Sequence, residues 1–152
     1  MKKLVFVLMF LISSLSFSVD YDFHTAVKLS LGGYTNMDVK RFIKSEKKNN
    51  QYYKVHVNID SNLFQTNSRF NIDAYDFFKY ISKNSEFDNA GKIALVFHDK
   101  LVDDYGNEKD YEVAEIAFTT DKLKKINWDK FLQIKVPNVA DHYWVHPAID
   151  KK

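Results

Sequence analysis

The sequence predicts an α+β domain: a small antiparallel sheet of three to four strands, including a hairpin over residues 92–118, with helices packed mainly on one face. Three observations carry this. "YKVHVNID" alternates apolar and polar residues, as a half-buried strand does. "IDAYDFFKYISKN" repeats apolar residues at helical spacing. "KIALVFHD" and "YEVAEIAF" flank "DDYGNEKD", whose Asp103, Asp104, Gly106 and Asn107 have the chemistry of a hairpin turn. Alternating βαβ units and a Gly-rich first turn are absent, which argues against a doubly wound nucleotide fold.

The chain opens with a basic Met1-Lys2-Lys3, an apolar run from Leu4 to Ile12, and then "SSLSFS". Ser16 and Ser18 suit the small-residue positions of a signal-peptidase site, so residues 1–18 are expected to be a cleaved secretory signal. The run is too short to span a bilayer, which takes about 20 apolar residues. Residues 19–152 are then one small α+β domain, exported to the periplasm or secreted. Losing Lys2 and Lys3 leaves 20 basic residues against 20 acidic ones, so the sequence pI of 8.6 is no mark of nucleic-acid binding. With no cysteine there is neither a lipid anchor, nor a disulfide staple, nor a thiol nucleophile. The chain's 13 Phe, 9 Tyr and 2 Trp supply the core instead, less Phe6, Phe10 and Phe17, which leave with the signal.

Taken in order, Phe23, Ala26 and Val27 fit a helical face that Gly32-Gly33 would end. "TNMDVKRFIKSEKKNN" reads as a second helix, with Val39, Phe42 and Ile43 as its stripe and Lys44, Lys47 and Lys48 at its basic end. Tyr53, Val55, Val57 and Ile59 form the apolar side of the first strand. In the following helix Asp73 is the expected cap, and Ala74, Phe77, Phe78 and Ile81 the buried face. Ile93 to Phe97 is apolar throughout, as in a central strand. Its partner changes phase: Tyr111 and Val113 share one parity, Ile116 and Phe118 the other, and a β-bulge near Ala114 reconciles them. "TTDKLKKIN" suits a short helix capped by Thr119 or Thr120. The closing "DHYWVHPAID" is rich in β-type residues, and Pro147 disfavours helix at His146, so it is expected to be extended.

Five histidines are the main chemical material. His142 and His146, four apart, would share a metal on a helix. On a strand that spacing is about 13 Å, too wide for one ion. Adjacent His98 and Asp99 would point to opposite faces of a strand, so Asp99 does not orient His98. His56 falls on the polar side of its strand. No serine lies in a G-x-S-x-G context. The acids around Gly106 lack the spacing of a calcium loop. Lysines beside Tyr52 and Tyr53 read as a solvated stretch.

The expected function is that of a non-enzymatic binding or interaction module outside the cytoplasm, such as an accessory subunit or an inhibitor-like or immunity-like protein. No cofactor is implied. The partner is expected to be another protein of the envelope or beyond the cell, met through Tyr105, Trp128, Tyr143 and Trp144, because Tyr and Trp are enriched where partners bind. Two alternatives are a small hydrolase using His98 or His142 with nearby carboxylates, and metal handling by His142 and His146.

Overall fold

A computed structural model describes residues 42–48, 52–58 and 67–150. The expected signal peptide, the domain start, the helix expected over residues 19–31 and the first part, up to residue 41, of the helix expected over 35–50 lie outside the described residues.

The elements are β1 (Phe42–Lys48), β2 (Tyr52–Asn58), α1 (Asn67–Ile81), β3 (Lys92–Val102), β4 (Glu108–Thr119), α2 (Thr120–Lys125), α3 (Val136–Val139), β5 (His142–Val145) and α4 (Pro147–Asp150). Single 3-10 turns fall at Ser85–Phe87 and Gln133–Lys135. Among the described residues the sheet has five strands in sequence order, all antiparallel neighbours except β2 and β3. The fold is α+β with a small sheet, and that sheet is mixed and one strand larger than expected. The parallel pair follows from connectivity: a 15-residue helix links β2 to β3, and a crossover of that length returns the chain in the same direction.

Three local readings are corrected. Phe42–Lys48 is a strand, not the end of a helix. The i, i+3, i+4 pattern of Val39, Phe42 and Ile43 is overridden from Phe42 onward by antiparallel pairing to β2, from which only Asn49-Asn50-Gln51 separates this strand. Helix α1 starts at Asn67, six residues before the expected cap. Asp73 therefore lies inside the helix, 1% exposed, with Arg69 Nε 3.4 Å from its carboxylate one turn back. Thr119 does flank α2, but its side chain makes no capping hydrogen bond there.

One face of the sheet carries the core. Tyr53, Val55 and Val57 from β2, Ile93, Leu95 and Phe97 from β3, and Val113, Ala114, Ile116 and Phe118 from β4 form one cluster with Phe70, Ala74, Phe77, Phe78 and Ile81 of α1. The rings interlock: Phe70 meets Phe97 at 5.0 Å and Phe78 meets Phe118 at 4.7 Å between centroids. Trp128 closes one end, its ring 5.7 Å from Tyr75, 5.5 Å from Phe131 and 6.3 Å from Phe118.

The expected bulge is present. The β3–β4 register slips between Phe97 and His98, so Phe97 faces Ala114 while His98 faces Glu112. Val113 is the extra residue, and Val113 and Ala114 are both fully buried in the core. Both parities of β4 thus reach the same interior, one on each side of the bulge.

The hairpin turns at Asp103–Asn107. Asp103 Oδ1 accepts the backbone N–H of Tyr105 at 2.9 Å and of Asn107 at 2.8 Å, and with the Asn107 side chain these bonds hold the Asp103 carboxyl below its ordinary range. Gly106 has φ +81°, and an added Cβ would meet nothing within 4 Å. The cost of a side chain there is backbone strain alone. Gly106→Ala should lower stability by about 1 kcal/mol, and Gly106→Asn by less, as read from urea unfolding midpoints. β5 is tied in by Asp141, whose carboxylate accepts the Thr119 N–H at 2.7 Å and the Lys122 ammonium at 2.5 Å. Among the described residues no helix is long and apolar enough to cross a membrane.

Candidate metal centre

The second face of the sheet is polar, and strand register arranges it in rows. Lys54, Ala94, Ala117 and His142 form one row across β2 to β5; His56, Val96, Glu115 and Trp144 form the next; Asn58, His98 and Glu112 form the third. Ala94, Val96 and Ala117 are fully buried, so the polar groups stand on an apolar floor. Such a floor strengthens electrostatic contacts above it.

Among the described residues two clusters occupy this face. In the first, Glu115 accepts from Lys54 Nζ at 2.8 Å and from Tyr52 OH at 3.0 Å. Burial pushes the Glu115 carboxyl up, but the bonds from Lys54 and Tyr52 and the lysine charge outweigh it, and its pKa lies below the ordinary value. The same contact raises Tyr52: burial first, then the bond to Glu115, push its phenol up to about 12.

The second cluster joins His56, His98 and Glu112. His56 Nδ1 lies 2.9 Å from His98 Nε2, with ring centroids 5.1 Å apart. One ligand atom from each of His56, His98 and Glu112 lies within 4.8 Å of the other two. The far side of His98 is also engaged, its Nδ1 lying 3.8 Å from Asp110 Oδ2. Three strands supply the set. The parallel β2–β3 register places His98 one row beyond His56, and the bulge turns Glu112 onto their face.

This geometry can be compared with what an ion requires. Nitrogens about 2.05 Å from a tetrahedral zinc lie about 3.3 Å apart. The histidine pair is already close to that spacing and would open slightly. Glu112 is exposed, so its carboxylate can close in by rotamer change. Two imidazoles and one carboxylate suit zinc and neighbouring transition metals, whereas calcium and magnesium take oxygen ligands.

The residues singled out from sequence are dispersed. His142 is an exposed residue of β5, opposite Ala117. His146 follows the strand; its N–H donates to Val113 O at 2.8 Å and its Nδ1 accepts from the Ala148 N–H at 3.1 Å. Neither belongs to the three-residue set. Trp144 is 38% exposed and Tyr105, at the hairpin tip, is 91% exposed. Tyr143 is half-buried against the core, and Trp128 is 6% exposed within it, its indole N–H donating to Leu123 O at 3.0 Å. Of the three histidines offered as functional candidates, His98, His142 and His146, only His98 enters the converged set. His56 reads from sequence only as a polar-face histidine and Glu112 not at all, because each is unremarkable alone. The available signal was that both sit on the polar parity of strands, and only the pairing of β2 with β3 makes it meaningful.

No protein-family model, curated protein or solved structure matches the chain.

Proposed function

We propose that this protein is a binding module, acting after export, whose ligand is a divalent transition-metal ion of the zinc class held by His56, His98 and Glu112. The observation that carries the reading is the convergence of one ligand atom from each of the three residues to within 4.8 Å. The half-buried imidazoles have an apolar floor and lie on strands rather than loops, which favours preorganisation. The reading stops at binding. The neighbouring carboxylate, Glu115, is already held by Lys54 and Tyr52 and is not poised as a base for hydrolysis. A partner protein remains a compatible second role, supported by the exposure of Tyr105 and Trp144.

Calorimetric titration of the untagged protein with zinc chloride tests this. Uptake of one equivalent is expected, together with a rise in unfolding temperature, because a ligand at 100 times its Kd adds about 2.7 kcal/mol. His56→Ala with His98→Ala should abolish both, and His142→Ala should change neither. Absence of stoichiometric uptake by the wild type, or its loss in His142→Ala alone, would sink the assignment.

A further inference from the structure

We infer that Asp110 is a positioning residue for this centre: it fixes the ring of His98 so that Nε2 is presented to the metal. The inference rests on the metal-binding reading above and adds a role for a residue outside the ligand set.

A neutral imidazole has one N–H and one lone pair. If His98 Nε2 is the ligand, its lone pair goes to the ion, and the ring proton must sit on Nδ1. That nitrogen faces Asp110 Oδ2 at 3.8 Å. The carboxylate therefore stands where a donor appears once metal is bound, and a small side-chain movement closes the gap to a hydrogen bond. Without metal the pair is not fixed in this way, since the His56 Nδ1 to His98 Nε2 contact is served by a proton on either nitrogen. Metal-ligating histidines commonly donate their second N–H to a carboxylate, which fixes the tautomer and raises ligand basicity.

The position of Asp110 is set by the backbone. It pairs with Lys100 in the row next to His98 and Glu112, on the same face and beyond the bulge. Glu108 occupies the next row and pairs instead with Lys100 Nζ at 3.6 Å. Of these two exposed carboxylates on one strand face, Asp110 faces a ligand histidine and Glu108 faces Lys100.

Zinc titration of the untagged wild type beside Asp110→Ala, Asp110→Asn and Glu108→Ala tests the inference. Asp110→Ala should weaken zinc binding by about 10–100-fold at unchanged stoichiometry. Asp110→Asn, which keeps an acceptor oxygen, should fall between it and the wild type. Glu108→Ala should bind like the wild type. Nuclear magnetic resonance of zinc-loaded wild type should show the His98 Nδ1 proton, and Asp110→Ala should lose it to solvent exchange. Wild-type affinity in Asp110→Ala, or an equal loss in Glu108→Ala, overturns the positioning role and leaves the metal centre standing. No uptake by the wild type overturns both.

Discussion

Trp128→Ala should destabilise the protein by about 3–5 kcal/mol, the range for removing a buried aromatic side chain. The indole is 6% exposed and touches Tyr75, Phe118 and Phe131. It also holds two chain segments by hydrogen bonds. Its N–H donates to Leu123 O in α2, and its backbone carbonyl accepts the Tyr75 hydroxyl at 2.6 Å from α1. Truncation opens a cavity, strands the Leu123 carbonyl and loosens the contact between α1 and the segment after α2. Denaturant unfolding measures the loss. A change below about 1 kcal/mol would show that the ring is dispensable to the core. Phe131→Leu, which keeps most of the apolar volume beside it, should cost less than about 1.5 kcal/mol.

Glu115→Ala should cost about 1–3 kcal/mol, as expected when a part-buried charge loses its partner. Lys54 and Glu115 side chains are only 16% and 15% exposed, and Glu115 also accepts from Tyr52. Replacing Lys54 by Met and Glu115 by Leu together should cost less than Glu115→Ala alone, because no charge is then left unpaired. The pH dependence has a defined sign. The Glu115 carboxyl is lower in the folded state, so its contribution is present above the unfolded value of about 4.3 and disappears as pH falls through the folded value. The stability gap between wild type and Glu115→Gln should therefore shrink in acid. At the alkaline end Tyr52 acts oppositely. Its phenol is raised to about 12, so stability declines as pH rises from about 10 toward that value, and Tyr52→Phe removes this limb. A gap that stayed constant from pH 7 into acid would refute the assignment to Glu115.

The local parts of the fold were legible because each is written in consecutive residues. The alternation from Tyr53 to Val57, the stripe of Ala74, Phe77, Phe78 and Ile81, and the turn around Gly106 each lie in one window. Even the bulge could be read, since Tyr111 and Val113 change parity against Ile116 and Phe118 within the same strand. What escaped was pairwise. Phe42–Lys48 has helical spacing, and only a partner strand makes it β. The parallel sense of β2 and β3 depends on α1 crossing over the sheet so that β3 enters beside β2 in the same direction. The centre belongs to this second kind: His56 and His98 are 42 residues apart and meet through register alone. His142 and His146 drew attention because they are close in sequence, which is the wrong measure of proximity on an extended chain.

The bulge at Val113 has a consequence for how this protein can change over time. On either side of it, β4 presents one column of side chains to the core and another to the polar face, and the single extra residue keeps those columns aligned. Substitutions within β4 act one position at a time. A gained or lost residue elsewhere in Glu108–Thr119 would exchange the two columns along part of the strand, sending carboxylates inward and phenylalanine or isoleucine outward. Length variation is therefore confined to the exposed tip at Asp103–Asn107, and within the strand the spacing between the core positions and Glu112 is inherited as a fixed count.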